Sequence, residues 1–334
     1  MRIYIFCIST LILLSSCFEP DEVLPLVPNE MVTIETDLSQ RQATFVDLQD
    51  INPSTNSVFK DWQLKFQNDA NGWAIYLNTL SKVTVYNTRT TSYDSITASF
   101  SLEDISWHLD IPTSSGAYPA IGMWGDFSFS APQSYKDVYL VQWIHNGVTE
   151  VYKLQILDAL EGAYQIKYGS LDGQYTNTVW IEKNTNRQHS YFSLAENKIL
   201  PNAEPPRDEW TICFTYLTDS ITKHMNSPYI PTVNKDYGIY QGLIINRVTS
   251  SIYIDTIRHL DEINYFNSKS LPYDEIDELY NIFSKWDILT ESLVVDEKVI
   301  VIVKNRANLF AIKPIALERT PISSFILRLE VKKL

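Results

Sequence analysis

Along most of the chain apolar and aromatic residues alternate with polar ones, the period of two that sends successive side chains to opposite faces of a strand. Trp62, Leu64 and Phe66 share one face, with Gln63 and Lys65 on the other. Residues 44–48, 73–77 and 83–86 read the same way. The clearest signal is 138–157. There two apolar runs flank Asn146-Gly147, a pair that accepts the positive φ values of a tight hairpin turn, and 164–168 follows as a third strand.

The pattern then restarts. Residues 191–194 answer 44–48, 210–214 answer 62–66, and 286–289 answer 124–127. Residues 298–303 answer 137–142, 309–315 answer 151–157, and 325–329 answer 164–168. Six landmarks in one order predict an all-β chain of two similar β domains in tandem, 40–173 and 188–334. The Gly-, Asp-, Asn- and Thr-rich stretch 174–187 reads as a linker. One segment breaks the pattern. Apolar residues at 276, 279, 282 and 283, with early acids, predict a short helix over 272–283, inserted in the second domain.

Composition agrees with strands. The chain has 334 residues, more than one core usually serves, and 13% of them are aromatic. Ten glycines leave little for Gly-rich phosphate loops. The formal net charge of −13 makes nucleic acid an unexpected partner.

The first residues read as a targeting segment. Met1-Arg2 precedes an apolar run, 3–14, too short for a stable membrane span. Leu14-Ser15-Ser16-Cys17 resembles a bacterial lipobox, which implies cleavage after 1–16 and lipidation of Cys17; a plain secretory signal with an incidental Cys is the other reading. The acidic residues after Cys17 are similar to a surface-export tag, and 17–39 reads as a lipidated tether. With Cys7 removed and Cys17 acylated, only Cys213 remains, so no internal disulfide is expected. Cys213 lies in a strand-like run and reads as a packed small residue.

These strand signatures resemble the HmuY family, haem-binding lipoproteins of Bacteroidetes. The similarity rests on residues 191–194 and 210–214, Trp124-Gly125-Asp126-Phe127-Ser128, Ser134-Tyr135-Lys136, Tyr152-Lys153-Leu154-Gln155 and 164–168. It implies an all-β outer-membrane, surface-exposed lipoprotein. Such a protein binds haem through His or Met and passes it to a TonB-dependent receptor, with the lipid as its membrane contact. Two copies in one chain depart from the simple members. The resemblance places one axial ligand before the Trp matched by Trp124 and Trp286, and one after it. The later position falls on Phe129 and Glu291, neither a good ligand; the earlier falls near His259 in copy two and near His108 or Met123 in copy one.

Each candidate has a plainer reading. His259 is either an iron ligand oriented by a neighbouring carboxylate or a solvated loop residue among charges. His108, beside Trp107, is a ligand or strand packing. Met123 is a soft axial ligand or core. His224-Met225 lies off the family positions, and His145 sits at the hairpin end. The sequence has no Gly-x-Ser-x-Gly, His-Glu-x-x-His or Cys-x-x-Cys, and its carboxylates are unpatterned, so no enzyme is expected. The Trp and Tyr surplus suits two β cores, or a platform for a sugar or porphyrin. The competing function is a non-haem cell-surface interaction or nutrient-capture lipoprotein that keeps the fold without the ligands.

Overall fold

The computed structural model describes residues 30–37, 42–50, 52–58, 62–113, 116–145, 147–160, 162–220, 236–275, 278–280, 282–287, 292–319 and 324–334. The chain is all-β, built from antiparallel sheets. The expected hairpin forms, with Val138–His145 paired to Val148–Leu160 and Gly147 at φ 80° in its turn.

The sheets group into two units of one topology. Unit one has a five-stranded sheet in the order Thr176–Glu182, Ala163–Ser170, Val148–Leu160, Val138–His145, Thr84–Asn87. Its second sheet runs Lys198–Ile199, His189–Ser193, Leu64–Gln67, Ile75–Leu77. Unit two repeats the first order with Glu30–Asp37, Ser324–Lys333, Asn308–Arg319, Ile300–Asn305 and Ser250–Asp255. Its second sheet runs Asn52–Val58, Gln42–Asp47, Ile212–Ser220, Tyr237–Ile245, Glu278–Tyr280. Each unit holds an apolar core drawn from both of its sheets. Leu64, Phe66, Trp124, Leu154, Tyr164, Ile166 and Phe192 belong to one, and Val46, Phe214, Val301, Phe310, Ile312 and Leu329 to the other. Each fully buried side chain of this size contributes about 1.5–3 kcal/mol.

The likeness extends to single hydrogen bonds. The Asn78 carboxamide donates to the Trp62 carbonyl at 2.9 Å, and that of Asn246 donates to the Trp210 carbonyl at 2.8 Å. The Asn78 N–H donates to Gln63 O at 3.1 Å, and the Asn246 N–H to Thr211 O at 3.0 Å. The Leu194 N–H donates to Gln63 Oε1 at 2.7 Å, and the Leu48 N–H to Thr211 Oγ1 at 3.3 Å. Both long hairpins slip register by one residue, between Ile156 and Asp158 and between Pro314 and Ala316. Pro314, which has no N–H, sits at that bulge, where a ladder bond is already lost.

The units are nested rather than in tandem. Unit one is continuous from Trp62 to Ile199, and unit two is assembled from strands on either side of it. Gln42–Asp47 pairs with Ile212–Ser220, and His189–Ser193 pairs with Leu64–Gln67. The strand expected to open each domain therefore serves the other Trp-bearing strand. Unit two is, in effect, a circular permutant of unit one that carries unit one as an insert. This corrects the boundaries 40–173 and 188–334.

Three further expectations are corrected. The stretch 174–187 is not a linker: Thr176–Glu182 is a sheet edge paired with Ala163–Ser170. Its Thr176, Thr178, Trp180 and Glu182 face solvent while Ile181 is buried, so its composition is that of a one-sided edge strand. Residues 30–37 of the expected tether 17–39 form the equivalent edge of unit two. The helix expected over 272–283 is also absent from its described residues. Glu278–Tyr280 instead pairs with Tyr237–Ile245. Leu279, opposite Leu243, packs on the unit-two core, and the Phe283 ring lies 5.6 Å from Phe214. Burial of residues 279 and 283 in that core satisfies the apolar spacing without a helix. The one α-helical turn among the described residues is Tyr265–Ser268. Residues 1–29, with the signal segment and Cys17, lie outside the described residues.

Candidate functional site

The haem-ligand candidates of copy one lie on a segment built to be rigid. Thr84–Asn87 is joined by a single bridge in which Val85 and His108 exchange both backbone bonds, at 2.8 and 2.9 Å. Two residues on, buried Asp110 accepts the Leu77 N–H at 2.7 Å and the Ala120 N–H at 2.8 Å. This carboxylate ties the segment after His108 to the one before Met123. Trp124 is then locked in the core, its indole N–H donating to Trp73 O at 2.9 Å. The Trp73 indole donates in turn to Ser130 O at 3.0 Å. Gly122, at φ 65°, makes the turn between these anchors.

On this base several apolar side chains face water. Met123 is 63% exposed, Phe129 54%, and Tyr118 and Tyr135 are comparable. His108 is exposed too. The alternative reading of Met123 as core is therefore overturned: its neighbour Trp124 fills the core position, and alternation turns Met123 outward. The structure brings the backbone around His108 and Met123 together through Asp110, and it leaves Phe129 exposed on the same loop system.

His259 belongs to the other unit. It stands at the N-cap position of the short 3-10 turn Leu260–Glu262, the position Ser92 holds before Tyr93–Ser95 in unit one. Glu262 accepts the His259 backbone N–H at 2.8 Å, so this carboxylate is engaged with the main chain. Nor are His108 and His259 equivalent, since the counterpart of His108 is Asp274, which forms the matching bridge with Ile252. His145 is exposed at the end of its strand. His224-Met225 and Glu291 lie outside the described residues. Among the described residues no group of three or more His, Cys, Asp or Glu is placed to hold a metal ion. Cys213 is buried, and burial pushes its thiol well above the ordinary range, as suits a packed residue.

Two features were not visible in the sequence. One is a polar seam between the units. Asp69 forms an ion pair with Arg207 at 3.0 Å and accepts hydrogen bonds from Arg247 and from Gln67, each at 3.0 Å. Burial raises the Asp69 pKa, but the Gln67 bond and the two guanidinium groups outweigh it and hold it below the usual value. Beside it, buried Glu204 accepts the Gln188 N–H at 2.9 Å and the Tyr191 hydroxyl at 3.2 Å, with His189 Nδ1 at 3.4 Å. Burial and the charge of Lys65 depress the His189 pKa against the pull of Glu204, which keeps the ring neutral at pH 7. Lys183 caps the Asp69–Gly72 turn, donating to Asp69 O and Gly72 O at 2.8 and 2.7 Å over the Trp73 ring, and burial pushes its pKa down to about 8. These groups are joined mainly to one another and to the main chain, which makes the seam structural.

The second feature is an aromatic row at one end of unit one. Trp143 lies 4.8 Å from Tyr152, Tyr152 lies 6.0 Å from Tyr175, Tyr175 lies 6.2 Å from Tyr168, and Tyr168 lies 5.5 Å from Phe192.

No family model, curated protein or solved structure matches the chain. Among the described residues no helix is long and apolar enough to cross a membrane.

Proposed function

We propose that this chain is a non-enzymatic binding protein whose first unit captures a flat apolar ligand, haem in the first instance, on the surface formed by residues 108–113 and 116–135. The observation that carries this reading is the rigid base set by Asp110, Trp73 and Trp124, which holds Met123 and Phe129 outward beside the segment bearing His108. Exposed apolar side chains on a fixed frame mark binding surfaces rather than packing. His and Met are suitable axial ligands for haem iron. In this reading Cys17 is lipidated, the protein is anchored at the outer membrane and faces outward, and a TonB-dependent receptor takes the ligand on.

Titration of the intact chain with haemin tests the reading. A Soret shift is expected that is lost in a His108→Ala, Met123→Ala double variant and kept in His259→Ala. Absence of any shift rejects haem.

The second reading, a non-haem surface interaction or nutrient-capture protein, is favoured by Phe129 alone. It stands exposed where the resemblance places an iron ligand, and a phenyl ring cannot coordinate iron. Co-purification of a stable partner with colourless protein supports that reading.

A further inference from the structure

The two units provide an internal control. Residues that the shared fold needs recur at equivalent positions, and residues present in one unit alone are free of that demand. Trp62 and Trp210, Asn78 and Asn246, and Phe66 and Phe214 recur. Leu154 and Ile312 likewise stay apolar at matching positions in the long hairpins. The aromatic row of unit one does not recur. By strand register Trp143 is matched by Asn305, Tyr152 by Phe310, Tyr168 by Val331 and Phe192 by Val46. Asn177 is matched by Glu30.

The row sits where three turns meet: those at Gly147, 171–175 and 194–197 all leave the sandwich at this end. Trp143, Tyr168 and Phe192 are buried beneath it, while Tyr152 and Tyr175 are half-buried at its rim. Polar groups accompany the rings. The Asn177 carboxamide donates to the Tyr175 hydroxyl at 2.6 Å, and the Tyr168 hydroxyl donates to the Asn197 side-chain oxygen. The buried Trp143 indole N–H has no partner among the described residues, although a phenyl ring would fill space there without that cost. Glu150 and Asp172 are nearby carboxylates, and Asp172 is exposed and already accepts from the Ser170 hydroxyl and the Gln174 N–H.

We propose that this end of unit one, with Tyr152, Tyr175, Asn177 and Asn197 at its rim, is a binding site for a neutral carbohydrate. Half-exposed aromatic faces stack on the C–H face of a sugar ring, and tyrosine hydroxyls with carboxamides hydrogen-bond its hydroxyl groups. The rim groups carry no charge, and the chain's net charge of −13 disfavours anionic glycans. Its rim residues are none of those named for the haem surface, and the proposal does not depend on the haem reading.

Calorimetric titration of the intact chain with maltohexaose, cellohexaose, mannohexaose and chitotetraose tests the proposal. At least one of these probes is expected to bind with a Kd of about 1 mM or tighter. Tyr175→Ala is expected to weaken that binding about tenfold, the loss of one aromatic contact. Asn177→Ala is expected to weaken it, and Tyr152→Phe, which keeps the ring, to weaken it less than Tyr175→Ala. Thermal melts of each variant report folding, and the Asn177 and Tyr152 variants decide the matter if Tyr175→Ala does not fold. Binding by none of the four probes, or unchanged binding in both Tyr175→Ala and Asn177→Ala, overturns the proposal. A haemin titration of the same variants separates the two sites. Its Soret response is expected to be unchanged, and its loss in Tyr175→Ala without sugar binding would assign this end to the planar ligand instead.

Discussion

Truncating Asn246 measures how firmly the units depend on the side chain they share. Asn246 is fully buried and makes three side-chain bonds. Its amide donates to Trp210 O at 2.8 Å and to Arg207 O at 2.6 Å, and its oxygen accepts from Gln188 Nε2 at 2.6 Å. Asn246→Ala strands the Trp210 carbonyl and the Gln188 amide, both in buried surroundings. Each unsatisfied buried group costs about 1–3 kcal/mol, so the pair costs about 2–6 kcal/mol. The Arg207 carbonyl lies on a half-buried segment that water reaches, and it adds little. At the equivalent site, Asn78→Ala strands the Trp62 carbonyl; the Ser81 N–H loses the Asn78 side chain but keeps the Asn78 carbonyl at 3.0 Å. That change is worth about 1–3 kcal/mol. Urea unfolding followed by tryptophan fluorescence reads both variants. The reasoning requires both to be destabilised, Asn246→Ala the more. It fails if Asn246→Ala lies within about 0.5 kcal/mol of the wild type, the range of an unremarkable surface change, or if the order is reversed.

Other outcomes follow from the seam between the units. Leu80, on a 3-10 turn of unit one, is buried among Phe45, Trp210, Cys213 and Tyr216 of unit two, whereas the equivalent Val248 is 48% exposed. Leu80→Ala is therefore expected to cost about 2–5 kcal/mol, and Val248→Ala less than about 0.5 kcal/mol, both by urea unfolding. Asp69, whose pKa is lowered in the folded state, contributes stability that is present above its ordinary value of 3.8 and is lost as the pH falls through that value and below. Asp69→Asn is expected to lower stability at pH 7 and to flatten the acid loss below about pH 4; an acid limb identical to the wild type would contradict the two-arginine clamp.

Much of the fold was legible along the chain, because half-buried strands leave a period of two wherever one face meets a core. Five of the six landmark pairs fall on corresponding strands; in the sixth, the residue equivalent to Trp124 is Phe283 and not Trp286, since the Asp296 N–H donates to Phe283 O as the Tyr135 N–H donates to Trp124 O. Their registers were less secure. Val138 corresponds to Ile300, one residue from the expected match, and Tyr164 corresponds to Leu327, two residues away. A two-residue slip keeps the same face inward, so alternation cannot detect it. Nor could alternation show which of two similar strands pairs with which partner. The Leu48 to Thr211 bond spans 163 residues, and residues 44–48 look alike whichever Trp-bearing strand they join. Edge strand Thr176–Glu182 was hidden by its own solvent face. Among the site residues, Met123 was singled out by type alone, and its exposure depends on the Trp124 anchor. Asn246, Asp110 and the Tyr175–Asn177 rim gave no sequence signal, since their importance lies in partners distant along the chain or in the contrast between the two units.

The most direct test of the nested arrangement is the folding of excised fragments. Residues 62–207 carry every strand of unit one, including Thr176–Glu182 and His189–Ser193, which supply the buried Ile181, Phe192 and Leu194 or lead directly to them. Residues 40–173 lack all three and retain Gln42–Asp47 without its partner Ile212–Ser220. Thermal unfolding followed by circular dichroism is predicted to show a cooperative β-sheet transition for 62–207 and none for 40–173. A cooperative transition in 40–173, with none in 62–207, would contradict the nesting and restore the tandem order.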